Sequence, residues 1–252
     1  MKPVRAALIL MAAACIVFFL ASQGFAQEGP GVSLNMDGGG DAGQGSTIIQ
    51  LLVLLTVLSM APAILLMTTS FIRIVVVLSF LRQAMGTQQM PPNQIIIGLA
   101  MFLTFFIMSP VINQINEDAL QPYLQEEIAG QEALDKASAP MREFMFGQVR
   151  EADLKLMAEA SGDEDRPETR DEISTLTLIP AFMLSELKRA FQIGFMIFVP
   201  FLVIDMITAS VLMTMGMLML PPIIISLPFK VLLFVLVDGW NLIAGSLMQG
   251  FY

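Results

Sequence analysis

The chain has 252 residues, 56% of them hydrophobic and 14% charged, with a mean hydropathy of +0.73. That composition excludes an ordinary water-soluble domain and marks a membrane-associated chain. With no His and a single Cys, Cys15, there is no material for His-based metal sites, His general bases or disulfide staples, and no nucleophile stands beside a base, so a non-enzymatic protein without a cofactor is expected.

In chain order, residues 1–26 read as a secretory signal. Lys2 and Arg5 form a positive start, Ala6 to Leu20 an apolar run, and Gly24-Phe25-Ala26 a small-x-small cleavage site. The mature chain is then expected to begin near Gln27, and Cys15 leaves with the signal. An uncleaved anchor is the other reading of this run, which is short for a span. Residues 27–46, with Gly38-Gly39-Gly40, read as a flexible lead-in.

Apolar runs at 48–81, 94–112, 190–220 and 222–237 would be four spans by hydropathy alone. As one helix, 48–85 would be about 57 Å long, nearly twice the roughly 30 Å of a hydrocarbon core. It must bend or project, and Pro62 is the expected kink. Each pair of runs turns at a double proline, Pro91-Pro92 after Met90 and Pro221-Pro222 after Leu220. Proline lacks an amide donor and restrains the preceding residue, so each pair marks a helix end. The chain therefore reads as two long kinked helical hairpins, 47–112 and 176–252.

Between them lies an insert, 113–175, with sixteen acids and six bases. The first hairpin tip carries Arg73 and Arg82 and no acid from Thr68 to Asn93, which by the positive-inside tendency puts that tip in the cytoplasm and the insert in the periplasm of a bacterium. Within the insert, Met141, Phe144, Met145, Gln148/Val149, Ala152 and Leu156 follow a helical stripe after Pro140 in a first turn, and Glu151 and Lys155 are spaced for an ion pair. The run SGDEDRPETRDE at 161–172 reads as a solvated loop, with a bound cation as the sharper alternative.

Arg73, Asp205, Lys230 and Asp238 are ionisable groups inside apolar sequence, where a charge is expensive unless paired or facing a wet interior. Counted from the prolines along straight helices, Arg73, Asp205 and Asp238 stand about 24 to 27 Å from their turns, so Arg73 is expected to share a layer with Asp205 or Asp238, within or between protomers. Lys230, about 12 Å from its turn, needs a partner from another helix or subunit. The near balance of acids and bases favours assembly salt bridges over a proton path or channel-facing charges. Glu186 in the SELKR string reads as an inter-subunit contact. Phe102, Phe105 and Phe106 read as helix packing or lipid contact, and Trp240, Phe251 and Tyr252 as an interface belt.

The stretch TMGMLMLPP, 214–222, holds Met215, Met217 and Met219 just after Met213, part of a chain-wide total of 20 Met. Three chemistries fit. Thioethers are soft ligands for Cu(I), they pack as plain hydrophobes, or, being long and adaptable, they seal a pore irregularly. Gly216 and the double proline favour a loop here.

The strings PAFMLSELKRAFQIGF at 180–195, LPFKVLLFVLVDGW at 227–240 and GLAMFLTFFIMSPVI at 98–112 closely resemble the FliP family of flagellar export-gate proteins, related to the SctR-like proteins of injectisomes. The resemblance covers residues 48–252, and the signal and glycine-rich lead-in look like the flagellar branch. It implies an all-α membrane-associated fold assembling into a homo-oligomeric helical ring of about five copies with FliQ and FliR, and contact with FlhA and FlhB. It also implies location in the bacterial inner membrane and flagellar basal body, much of the mass periplasmic, and a role in passing unfolded flagellar proteins. Met213, Met215, Met217 and Met219 would then form the pore gasket. The alternative is another oligomeric membrane channel or a Met-rich Cu(I) transporter.

Overall fold

The computed structural model describes residues 42–87, 90–161, 172–217 and 220–251. The expected signal at 1–26, most of the lead-in, most of the acidic run at 161–172, Met219 and Tyr252 lie outside the described residues. The chain divides into two compact units, Met1–Leu51 and Leu52–Tyr252, and the packing below belongs to the second.

The described elements are helical. Helix α1, Ala42–Met67, begins inside the segment read as lead-in. Its last turns, Leu58–Met67, are bent by 65° from α2, Phe71–Ala84. The bend falls at Thr68–Ser70 and not at Pro62, which sits inside α1. Thr68 Oγ1 donates to the Ile64 carbonyl at 3.1 Å and Thr69 Oγ1 to that of Leu66 at 3.2 Å. The Ile64 carbonyl also accepts from the Thr68 amide at 3.0 Å, so both hydroxyls fold back onto the last turns of α1, a local hydrogen bond that a proline cannot supply.

Helix α3, Asn93–Ile115, runs through a π-helical turn, Asn116–Leu120, into the short α4, Gln121–Leu124. In the insert, α5 spans Gly130–Gln148 and α6 spans Glu151–Ala160. Helix α7, Thr175–Thr214, has 40 residues, opened by a Ser174 cap whose side chain accepts from the Leu176 amide at 3.2 Å. Helices α8, Pro222–Leu236, and α9, Gly239–Gln249, are bent from one another by 61° at Val237–Asp238, with Asp238 in the left-handed region at φ 49°.

The insert corrects two expectations. Pro140 stands in the middle of α5, because the helix starts ten residues earlier at Gly130. The apolar stripe does not run on to 156. Val149 and Arg150 are extended, so Met145 and Gln148 are buried while Ala152 and Leu156 are exposed, and Leu154 packs inward instead. Lys155 accordingly pairs with Glu159 at 3.9 Å and not with Glu151.

Helices α2 and α3 form one hairpin and α7 and α8 the other, and α2 packs most extensively on α7, so the hairpins lock together. The core joins Ile74, Val77, Leu78 and Leu81 of α2, at helical spacing, to Ala100, Leu103 and Ile107 of α3, Phe201 of α7 and Phe234 of α8. The approach of α2 to α7 needs a glycine: a Cβ at Gly194 would lie 2.6 Å from Phe80 Cδ2. A smaller cluster, Met145, Ile173, Leu178 and Phe182, ties the insert to the start of α7.

Helices Asn93–Leu124 and Thr175–Thr214 are long and apolar enough to cross a membrane, and each bent pair passes the same test jointly, giving two to four spans by length and composition. The outer faces agree: Leu58, Leu65, Phe102, Phe106, Phe195, Met206 and Leu236 are all more than half exposed. Apolar surface on this scale marks contact with lipid or with other protein.

Candidate functional site

Two buried charge clusters and one exposed apolar loop stand out. The first cluster is built where α2, α5, α7 and the end of α9 converge. Arg73, 2% exposed, meets Glu186, 0% exposed. Its Nε donates to Glu186 Oε2 at 2.7 Å, and its Nη2 pairs with Glu186 Oε1, a bidentate fit that suits guanidinium and carboxylate geometry. Nη2 also donates to Gln148 Oε1 at 2.9 Å and Nη1 to the Gly250 carbonyl at 3.0 Å. The Phe251 ring closes one face, its centroid 3.6 Å from Arg73 Cζ. Arg189, one turn beyond Glu186, donates to Gln148 Oε1 at 2.6 Å and lies 4.0 Å from Glu186.

The second cluster joins the two hairpin tips. Lys230, 4% exposed, donates to Asp205 Oδ2 at 2.6 Å and to the Ala84 carbonyl at 3.3 Å. Ser226 Oγ donates to the other carboxylate oxygen at 2.5 Å. Asp238 joins neither cluster: it is exposed and accepts from Asn241 Nδ2 at 3.1 Å.

Arg73 therefore does not pair with Asp205 or Asp238 within the chain, and the reason is geometric. The double prolines are not the turn apices. Pro92 caps α3 and Pro222 is the first residue of α8, whereas α7 has already ended at Thr214. Counted from those helix ends, Asp205 lies nine residues before Thr214 and Lys230 eight after Pro222, which brings them level. Asp238 falls past the end of α8, so a straight count cannot reach it. Nor is Arg73 at the tip of the first hairpin; Arg82 is nearer the turn, where it donates to Asn93 Oδ1 at 2.5 Å.

The third feature is the turn from Met215 to Pro221. Met213, Met215 and Met217 are 66%, 64% and 44% exposed, and Gly216 has φ +74°, the left-handed turn residue that makes a loop. No ionisable residue stands between Asp205 and Lys230.

Of the aromatic candidates, Phe102 and Phe106 are exposed and Trp240 is half-exposed with its edge on Phe234. Phe251, expected in an interface belt, is instead buried against Arg73 and Phe144. Sequence reading missed the polar partners: Gln148 sat unexplained in an apolar stripe, and Ser226 and the Ser185–Asp153 hydrogen bond of 2.7 Å gave no signal beyond small polar residues in oily helices.

Comparison with known proteins adds the family. A model of the FliP family matches residues 54–247. The flagellar biosynthetic protein FliP of Bacillus subtilis is 56% identical over 218 residues, covering 86% of this chain and 98% of that protein. The protein of the same name from Pectobacterium carotovorum is 53% identical over 215 residues, 84% and 82% of the two chains. That of Caulobacter vibrioides is 49% identical over 247 residues, 98% and 91%.

Proposed function

We propose, since the chain belongs to the FliP family, that it is a core subunit of the flagellar type III export gate and forms the narrow opening through which unfolded flagellar proteins pass. Copies of the chain, about five by the family resemblance, form a ring with FliQ and FliR and work with FlhA and FlhB. The ring sits at the inner membrane within the basal body, with the acidic insert on the periplasmic side.

The observation that carries the channel role is the methionine turn. Large apolar side chains exposed on a loop between two apolar helices, with no charge near, are costly surface for an isolated chain. Brought together from several copies, flexible thioethers would close a narrow passage and yield to a moving polypeptide of any sequence. The buried clusters support the same reading as structural members, since each joins elements of both hairpins.

The test trims Met213, Met215, Met217 and Met219 to Ala and, in a second set, replaces them by Leu. The Ala set is expected to leak small solutes at normal abundance while secretion continues, and the Leu set to keep the barrier. An unchanged barrier in the Ala set at normal abundance refutes the gasket. Loss of metal-dependent behaviour in the Leu set points instead to Cu(I) coordination.

A further inference from the structure

Beside the Arg73–Glu186 pair lies a cavity of about 930 Å³, walled among others by Arg73, Gln148, Arg189, Gln192 and Gly250. It carries an excess of positive charge. Two guanidiniums stand against the single carboxylate of Glu186, which Arg73 already holds bidentately. Arg73 is fully occupied within the chain, by Glu186, Gln148 and the Gly250 carbonyl. Arg189 is not. It makes one hydrogen bond, to Gln148, its side chain is 33% exposed, and most of its N–H donors have no acceptor among the described residues.

A carboxylate in the complementary condition stands outside the cavity. Glu151 opens α6, is exposed, and has no hydrogen-bond or ion-pair partner among the described residues, Lys155 being paired with Glu159. The two charges are nearly level along α7. The amide of Arg150, the residue before Glu151, donates to Ser185 Oγ at 3.0 Å, and Ser185 lies four residues, about 6 Å, before Arg189. This level belongs to the insert, to which Arg189 is joined through Gln148.

We infer that Glu151 of one copy enters this cavity on the next copy and pairs there with Arg189. The inference rests on the ring reading of the proposed function. Rotation about an axis along the hairpins moves a copy sideways without changing its level, so a head-to-tail contact joins different patches that share a level. Arg189 and Glu151 meet that condition: they are opposite in charge, apart on the chain, and within the reach of long side chains in height. One contact, repeated around the ring, gives every Arg189 and every Glu151 a charge-assisted hydrogen bond. A lipid phosphate or an unrelated acidic protein would supply an anion to Arg189 and leave Glu151 bare.

The test uses the full chain, in a Cys15→Ser background, within the complex purified from membranes. Glu151→Cys combined with Gln192→Cys keeps Arg189 in place and is treated with a short bismaleimide. A ladder of linked chains on a denaturing gel is expected, and neither single variant should give it. Charge reversal is the second arm. Glu151→Arg, which breaks no contact inside the chain, should lower the yield of the multi-copy complex about tenfold, and adding Arg189→Glu should recover most of it. Native mass spectrometry counts the copies in the wild-type complex and so separates two failures. A single copy per complex ends the ring reading and this contact with it. Several copies with no linkage from the double-cysteine variant, or an unaltered yield from Glu151→Arg, overturn the contact and leave the ring standing. A folded double charge variant that recovers nothing overturns it as well. Should Arg189→Glu fail to fold, having lost its contacts to Gln148 and Glu186, the linkage and the Glu151→Arg yield decide.

Discussion

Removing one partner of the Arg73–Glu186 pair leaves the other charge where water cannot reach it. Both side chains are essentially buried, at 2% and 0% exposure, and loss of one member of such a pair typically costs about 3 to 5 kcal/mol. The two single changes are not equivalent. Arg73→Met leaves Glu186 with Arg189, 4.0 Å away. Glu186→Gln leaves Arg73 and Arg189 as two cations sharing the Gln148 carbonyl oxygen, with no anion between them. Glu186→Gln is therefore expected to be at least as damaging as Arg73→Met. For a chain of this size each kcal/mol moves the thermal midpoint by roughly 2 to 4 °C, so the singles should fall by roughly 6 to 20 °C. The double change, Arg73→Met with Glu186→Gln, removes both charges and should lose little more than one single. A double-mutant cycle read from the thermal midpoint of the purified protein in mild detergent measures the coupling, expected to approach the cost of one single change, about 3 to 5 kcal/mol. Additive single effects, or an Arg73→Met variant much worse than Glu186→Gln, would refute the assignment of this cluster as a mutually neutralising network.

Two further changes test how the helices pack. Gly194→Ala sets a Cβ 2.6 Å from Phe80, whose ring is held edge-on against Phe191 at 5.0 Å between centroids, so α2 and α7 must separate; a loss of about 1 to 3 kcal/mol is expected, read as lower abundance and an earlier thermal midpoint. Asp238→Val forces a β-branched residue into φ 49°, and should destabilise the α8–α9 bend by about 1 to 2 kcal/mol, whereas Asp238→Gly should be neutral or stabilising in the same assay.

The hairpins were legible in the sequence because proline acts locally. A double proline ends or begins a helix whatever surrounds it, and both pairs do so. Where the chain bends was less legible, since bending depends on which carbonyls find partners and on how strongly the next helix is drawn to a core. Pro62 lies in an exposed stretch with nothing to pull the chain aside, whereas α2 is drawn onto α7 by Ile74, Val77, Leu78 and Leu81, and Thr68 and Thr69 accommodate the break. The charged residues were found by type, and four of the five named are paired as expensive buried or half-buried groups should be. Their partners were not found. Straight-helix arithmetic took the prolines as apices, and the seven residues from Met215 to Pro221 that separate α7 from α8 were enough to move Lys230 level with Asp205. Gln148 was hidden for a different reason: an amide that accepts from two guanidiniums looks, in one dimension, like an interruption of an apolar stripe.

The two clusters divide the work of holding the hairpins together. Lys230 reaches across to the carbonyl of Ala84, the last residue of α2, and so fixes the first hairpin's tip against the second near the methionine turn. Arg73 lies eleven residues back along α2, about 16 Å from its end, and ties in the insert through Gln148 and the chain's last helix through Gly250. Two cross-links separated along the same helix resist both sliding and splaying of α2 on α7, which one alone cannot do. The faces they leave outward are largely apolar and so is the loop they support, a surface suited to contact with lipid or with other protein. Under the proposed export role, a rigid interior with an apolar exterior would let a subunit stay assembled while a polypeptide moves past its loop.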